Sequence, residues 1–460
     1  MGWQGGRAAV GGAILRAEQP SGRLPHGLPG GFPKAAIEGG PNGPTGKMKK
    51  RGAGNSGPEG TDRSIPEPSE VAVSDTDRVR AHYDATPYPH VGVPALPGHW
   101  LDAGVATPPL RPGARVLVAG CGTGGEAAAY AAQVPGSTVV GVDLSPRSIE
   151  VARASGYGGD LTFDVADLAG DDLADRFAPF DFICCHAVAD YVPDADALFR
   201  TLTRALAPGG VLYVGTNSEH HPGRRLRRTM HTLGLDASAW VEQPHHRAGL
   251  RVAHALLGPD VQIHDLPNQP AHLLGADVFP PWFHGMGLDG WTAAAEAAGL
   301  HLTDSLAAHF ALPPVADADL PLLYRLDRPG LARLIEGLRR SAVLQLLFTN
   351  LPAPTPPWTE PASLWTWSAA LHPAVGQPNL PVLSGDWMLP RFLGIAAPGL
   401  PELRIQLSAW LLELVRRCDG RASLAEVRAS MPTPAHDEHL RSGLFRLWHA
   451  GLLRFVPPVA

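Results

Sequence analysis

Cysteine is scarce in this chain: four among 460 residues, Cys121, Cys184, Cys185 and Cys418, with no metal-ligand spacing and with two of them adjacent inside an apolar run. That argues against a disulfide framework or a thiolate metal site, and a reducing, cytoplasmic setting is the expectation. An excess of positive charge is also missing. The 38 Lys and Arg face 44 Asp and Glu, for a net charge of -6, so no general phosphate-neutralising surface exists and no nucleic-acid partner is expected. No apolar run approaches the length that crosses a bilayer, and the first residues lack the compact apolar core and cleavage pattern of a secretory signal, so no membrane association is expected either. What is present is an ordinary globular composition, 44% hydrophobic and 18% charged, in a chain long enough for two or three folded units. With 52 Gly and 47 Pro, much of it must be loop.

Residues 1–74 are rich in Gly and Pro and carry no sustained apolar period, which predicts a disordered, solvated tail. Its basic residues outnumber its acids, and a solvated tail, or an upstream start with Met48 as the true one so that 1–47 are not translated, is the expectation ahead of a phosphate-binding arm. Order is expected from Asp75, with a short helix over Asp77–Asp84 broken by Thr86-Pro-Tyr-Pro. Strand and helix periods then alternate. Strands are predicted at Arg115–Ala119, Ser137–Asp143, Leu161–Val165, Phe180–Cys185 and Val211–Gly215, with helices at Glu126–Gln133, Arg147–Ala154 and Ala195–Leu206. Such alternation means a parallel sheet covered on both faces.

About seventy residues, 217–287, interrupt this pattern and are too long for a simple connection, so they are expected to hold helices of their own and to form a lid or acceptor pocket. A helix at Leu288–Ala298, closing strands at His301–Leu306 and Leu322–Leu326, and a helix at Leu331–Thr349 follow. The division is therefore 75–329 for the main domain, 330–379 for a helix and a linker built on the prolines of Leu351–Pro361, and 380–460 for a small accessory domain. That last unit should contain helices at Pro401–Arg417, Leu424–Ser430 and Glu438–Ala450 and a final strand at Leu452–Val456.

The densest signal is Val116-Leu-Val-Ala-Gly-Cys-Gly-Thr-Gly-Gly125. Closely spaced glycines after a strand let the backbone turn sharply and approach a ligand, while the next helix aims its free N–H groups at the same place. Gly120, Gly122 and Gly125 satisfy the dinucleotide spacing G-x-G-x-x-G; Gly120, Gly122 and Gly124 satisfy the G-x-G-x-G of enzymes that use S-adenosylmethionine. Asp143, ending the second strand, can accept from both hydroxyls of a ribose, which both ligand classes require. Asp167, after the third strand, can accept from an adenine amine while Leu144 and Leu168 sandwich the ring, which favours S-adenosylmethionine. Asp164, Asp171 and Asp172 crowd the same loop as competing acids.

Together with Phe180-Asp-Phe-Ile-Cys-Cys-His-Ala-Val-Ala-Asp-Tyr-Val-Pro-Asp194 and Leu206-Ala-Pro-Gly-Gly-Val-Leu-Tyr-Val214, these motifs make Ala114–Gly215 resemble the class I S-adenosylmethionine-dependent methyltransferases, the broad bacterial group with a Gly-Cys-Gly-Thr-Gly loop. The resemblance implies an α/β, Rossmann-like sheet of seven strands with helices on both faces and a last antiparallel strand. It implies methyl transfer to an acceptor that the sequence does not identify. By matching position it puts the methionine part of the cofactor against Gly120, Cys121 and Gly122, the ribose on Asp143, the adenine between Leu144 and Leu168 with Asp167 at its amine, and His186 and Ala187 near the sulfonium. Tyr83 resembles the tyrosine that relatives place over the cofactor from an N-terminal helix.

No residue identifies itself as a catalytic base; His186 and Tyr83 are candidates. The histidine-rich stretch around His220-His221 and His245-His246 lacks a paired i, i+4 arrangement with a supporting acid, so no metal is expected. The Arg224-Arg-Leu-Arg-Arg228 cluster reads as a solvated helix face or as a steering site for an anionic substrate. The C-terminal segments Leu411–Val427 and Leu444–Arg454 resemble the winged-helix regulatory modules attached to some bacterial methyltransferases, which implies a protein partner or a homodimer. Two other functions fit parts of the pattern: an NAD-dependent oxidoreductase, on Gly125 and Asp143, and a non-catalytic protein that retains the fold as a binding scaffold.

Overall fold

A computed structural model describes residues 73–88, 113–134, 136–170, 172–236, 242–257, 268–271, 274–306, 315–352, 355–371, 391–395, 403–431 and 437–458. The disorder expected for residues 1–74 falls almost wholly outside these. Among the described residues no helix is long and apolar enough to cross a membrane.

A helix, α1 (Asp75–Ala85), N-capped by the Ser74 side chain, precedes a seven-stranded sheet. Its strands are β1 (Arg115–Ala119), β2 (Thr138–Asp143), β3 (Asp160–Val165), β4 (Phe180–His186), β5 (Leu206–Asn217), β6 (His301–Ser305) and β7 (Val343–Thr349), ordered β3-β2-β1-β4-β5-β7-β6. The first five pair in parallel, and β7 inserts antiparallel between β5 and β6. This is the seven-stranded Rossmann-like arrangement with one reversed strand. Side chains alternate between faces along a strand, so a run apolar at every position must be covered twice. The central strands obey this: Leu117, Val140, Ile183 and Leu212 join one core, and Val116, Val139, Phe182 and Val211 the other. Cys184 and Cys185, both buried, fall on opposite faces by the same alternation.

The connecting helices are α2 (Gly125–Gln133), α3 (Pro146–Ala154), α4 (Leu173–Phe177) and α5 (Ala195–Ala205). In α5 the spacing of Leu198, Phe199, Leu202 and Ala205 buries one stripe on the sheet. Each of those larger side chains contributes about 1.5–3 kcal/mol. The long interruption after β5 contains α6 (Pro222–Thr232), α7 (Pro244–Leu257) and a π-helical turn at Leu274–Val278, gathered on a small core of Leu226, Met230, Leu250, Leu274 and Phe279. Helix α8 (Leu288–Ala297) then returns to the sheet and seats Trp291 in its core.

Past β6 the structure departs from the sequence reading. Leu322–Leu326 is not a strand, and Leu331–Thr349 is not one helix. A 3-10 turn at Leu320–Leu322 leads into α9 (Arg328–Arg339), whose start is set by Asp327 accepting from the Gly330 N–H at 2.8 Å and by Pro329 in its first turn. Arg340, at φ 51°, ends it, and Val343–Thr349 becomes β7. The apolar run Val-Leu-Gln-Leu-Leu-Phe-Thr suits helix or strand equally, and the open edge of β5 decides for strand. The sheet thus extends beyond Pro329, the edge expected for its domain.

The C-terminal part follows α10 (Pro361–Leu364) and contains β8 (Ser368–Leu371), a hairpin of β9 (Arg391–Ile395) and β10 (Leu403–Leu407), then α11 (Ala409–Arg417), β11 (Asp419–Ser423), α12 (Leu424–Ala429), α13 (Asp437–His449) and β12 (Leu453–Val456). Strands β11, β8 and β12 form an antiparallel sheet with β8 central, so this unit takes in residues before 380. The helix expected over Pro401–Arg417 begins only at Ala409, where Ser408 caps it; Leu-Arg-Ile-Gln-Leu before it has the two-residue alternation of a strand. Trp358, inside the proline-rich stretch read as a linker, is buried against Tyr324, Phe445, Trp448 and Phe455, because a large aromatic can pin an otherwise irregular segment. Arg328 joins the two parts: 5% exposed, it pairs with Asp304 of β6 at 2.5 Å and donates to the carbonyls of Trp448 and His449 at the end of α13.

Candidate functional site

The glycine loop leaves β1 at Ala119. The N–H groups of Gly120 and Cys121 both donate to the Val142 carbonyl at 2.8 Å, so the loop hooks over the neighbouring strand. Positive φ falls on Gly120, Gly122 and Gly124 (77°, 53° and 88°) but not on Gly125, which opens α2 in ordinary helical geometry. The backbone therefore uses the G-x-G-x-G set. At Gly124 a Cβ would lie 2.6 Å from Phe163 Cζ and 2.9 Å from Ala152 Cβ. Left-handed strain and overpacking together should cost a Gly124→Ala variant about 2–4 kcal/mol of unfolding free energy. Urea denaturation checks this, and a loss under 1 kcal/mol would contradict the packing role.

Beneath the loop lies a cavity of about 390 Å³ at the carboxyl ends of β1, β2 and β4. Nine of the ten residues singled out from sequence line it: Tyr83, Gly120, Cys121, Gly122, Asp143, Leu144, Asp167, Leu168 and His186. Gly124 does not; it packs against Phe163 and Ala152 instead.

Asp143 accepts from the Gly122 N–H on one carboxyl oxygen and from the Ser145 N–H on the other, each at 2.9 Å. Burial pushes its pKa up, and those two bonds oppose the rise. Each oxygen keeps a further lone pair for a ligand hydroxyl. Asp167 accepts from the Ala169 N–H at 2.9 Å, a local turn that fixes its carboxyl. Its competitors are otherwise engaged: Asp164 pairs with Arg153 and Arg176, and Asp172 with Arg176, all on the outer surface, while Asp171 lies outside the described residues.

His186 ends β4, its Nδ1 2.8 Å from the Tyr213 hydroxyl, which in turn accepts from Gln345 Nε2 at 3.0 Å. Ala187 beside it holds φ 55°, a conformation uncommon for a residue with a Cβ. From the other side α1 roofs the cavity with Thr76, Val79 and Tyr83. It is fastened by Asp84, which accepts from the Ser145 hydroxyl at 2.6 Å and the Arg147 N–H at 3.3 Å, the first turn of α3. Tyr83 meets the ring of Tyr191 edge-on at 6.4 Å.

Sequence reasoning missed Tyr191, Asp84 and Glu126. Tyr191 stands in a quoted motif but carries no spacing signal, and Asp84 looks like any acid on an exposed helix. Glu126 looks like an ordinary first-turn acid facing solvent; instead it is 4% exposed and faces the cavity.

In the histidine-rich stretch, His221 is mostly buried, which lowers its pKa to about 4, and His284 Nε2 lies 2.7 Å from the Val192 carbonyl. Arg224 donates to the Gly285 carbonyl at 2.5 Å and Arg227 to the Pro280 carbonyl at 3.0 Å, so half of the arginine cluster braces the fold rather than facing solvent as one patch. Among the described residues no group of three or more His, Cys, Asp or Glu side chains could hold a metal ion.

Residues 117–212 match a family model described as a methyltransferase domain. Over 105 residues the chain is 42% identical to a ubiquinone biosynthesis O-methyltransferase of Xylella fastidiosa, covering 23% of this chain and 42% of that protein. Over 139 residues it is 33% identical to the protein of the same name in Xanthomonas oryzae pv. oryzae, covering 26% and 57%. The chain thus spans about half the length of these relatives. Among solved structures it is similar to PKMT2 from Rickettsia typhi in complex with AdoHcy, at 19% identity and a TM-score of 0.49, covering 80% of this chain and 77% of that one.

Proposed function

We propose that this chain binds S-adenosylmethionine and transfers its methyl group to an acceptor molecule. The observation that carries the reading is the charge of the cavity. Among the described residues its lining contains three carboxyl residues, Glu126, Asp143 and Asp167, one histidine, and no Lys or Arg. A ligand with a sulfonium, an ammonium and two ribose hydroxyls suits such a wall. The diphosphate of NAD would meet three acids with no cation among the described lining residues, an arrangement that Coulomb repulsion in a partly dry site opposes.

In this reading Asp143 accepts from the ribose hydroxyls, and Leu144 and Leu168 hold the adenine with Asp167 at its amine. The backbone of Gly120, Cys121 and Gly122 receives the methionine part, and His186 and Ala187 line the floor near the sulfonium. When bound, the cofactor supplies an activated methyl group, so the protein's work is to align an acceptor and exclude water. Helix α1, with Tyr83 and Tyr191, closes the cavity from above and does the excluding. His186 is held in one orientation by Tyr213 and Gln345, which suits it to orient an acceptor.

Isothermal calorimetry on the full chain tests the reading. Micromolar binding of S-adenosylmethionine and S-adenosylhomocysteine is expected, with no heat from NAD; the reverse pattern would restore the oxidoreductase alternative. The Gly-Cys-Gly-Thr-Gly group of class I enzymes is the subgroup we assign. We further infer that the methyl-transfer domain runs from Asp75 through Thr349, with 217–287 as its acceptor-side insertion. The unit from Trp358 onward is then a winged-helix-like accessory domain for a protein partner or a second copy, a reading supported by three helices beside a three-stranded antiparallel sheet.

A further inference from the structure

Glu126 occupies a position that an ordinary first-turn acid does not. It lines the cavity together with Gly120 and Gly122, yet the residue is 4% exposed. One carboxyl oxygen, Oε1, accepts from the Cys184 thiol at 2.9 Å. A nearly buried carboxylate at the wall of a cavity is costly unless something cationic or donating completes it. Strand β1, which leads into the loop, is Arg-Val-Leu-Val-Ala and places no acid at the cavity. Asp143 and Asp167 are spoken for by ribose and adenine in the reading above. The amino-acid end of the ligand, lying against Gly120 to Gly122, therefore has one further carboxyl residue of the cavity lining, Glu126, among the described residues.

We propose that Glu126 is the counter-charge for the ligand's α-ammonium group, a specificity residue that recognises the amino-acid end of the cofactor. The assignment rests on the reading of this cavity as an S-adenosylmethionine site. Gly125 and Glu126 open α2, so the same turn presents backbone N–H groups for the α-carboxylate while the Glu126 side chain takes the ammonium. Cys184 fixes the carboxyl by donating to Oε1, and the second oxygen is the one assigned to the ligand.

The groups around Glu126 favour a proton on it when the cavity holds no cation. Cys121 on the loop, Tyr130 one turn along α2, Cys184 and Cys185 on β4 and Tyr213 on β5 all have pKa values pushed up by burial and stay neutral near pH 7, and burial also raises the pKa of Asp143, against the bonds from the Ser145 and Gly122 N–H groups. Burial raises the Glu126 pKa to about 7, with the Cys184 bond opposing. An ammonium ligand binds the ionised form, so binding expels the proton and affinity rises with pH between about 6 and about 8. If Glu126 instead donated as a neutral acid to the ligand carboxylate, affinity would fall over the same range.

The test is calorimetry of the full chain and of Glu126→Gln with two ligands, S-adenosylhomocysteine and 5′-methylthioadenosine, which lacks the amino-acid end. Glu126→Gln should bind S-adenosylhomocysteine about 10- to 100-fold more weakly, as expected for a lost charge-assisted bond, and should lose the pH dependence. Its affinity for 5′-methylthioadenosine should match that of the unmodified chain, which also shows that the variant is folded. Equal S-adenosylhomocysteine affinity in the two proteins, an equal loss for both ligands, or affinity that falls with pH overturns the role of Glu126. An unmodified chain that binds neither ligand overturns the cofactor reading itself.

Discussion

Asp143→Ala should lose about 100- to 10⁴-fold in affinity for S-adenosylhomocysteine, the largest functional effect expected of any single substitution in this protein. Two ribose hydroxyls donating to a carboxylate are each worth about 1.5–3 kcal/mol, and each 1.4 kcal/mol is a factor of ten. The same carboxyl also holds the loop, since the N–H groups of Gly122 and Ser145 both donate to it. Alanine leaves those two donors facing the cavity and lets the loop drift from the shape that receives the methionine part. Asp143→Asn should fall between, because its amide oxygen still accepts one of these bonds while its NH₂ group opposes the other. Calorimetry gives the affinities, and circular dichroism shows whether the fold persists. Affinity within threefold of the unmodified chain would mean that Asp143 serves the turn alone.

The largest stability effect is expected at Arg328. This side chain and its partner Asp304 are 5% and 3% exposed, and the guanidinium also donates to the carbonyls of Trp448 and His449 and lies 5.2 Å from the Trp448 ring centre. Removing one member of a buried ion pair strands the other, so Arg328→Met should lower the unfolding free energy by about 3–5 kcal/mol. Adding Asp304→Leu should recover part of the loss, because no charge is then left buried. The carbonyls of Trp448 and His449 would still lack their donor. Urea denaturation of the two single variants and the double variant measures the coupling. Purely additive losses would show that the pair is not the joint between sheet and C-terminal unit that its geometry describes.

Legibility in the sequence followed the range of the interactions involved. The strands β1 to β5 are short apolar runs punctuated by Gly, Pro and Asp, and their helices carry one buried stripe, so local pattern sufficed to place them. The stretch Val343–Thr349 was not legible. Its residues suit a helix or a strand, and only the unpaired edge of β5, more than a hundred residues earlier, makes it β7. Leu403–Leu407 carries a two-residue alternation that was overridden by the helical period beginning at Ala409. Among the site residues, Gly120, Gly122 and Asp143 announce themselves through spacing that few other roles require. Glu126 does not, because a first-turn acid is commonplace and nothing within ten residues says that the helix buries it.

The amino-acid sequence alone determined where the chain must turn tightly, which runs must be covered on both faces, and that a carboxylate ends the second strand beside a glycine loop. These are properties of neighbouring residues, set by backbone sterics and the period of apolar side chains. Tertiary structure alone decided which acids enter the cavity, that α1 is fastened over it by Asp84, that β7 rather than Leu322–Leu326 fills the reversed position, and that Arg328 ties the sheet to the last helix. Those outcomes depend on burial and pairing between segments far apart in the chain, where the cost of an unpaired charge or strand edge is settled only when the partner arrives.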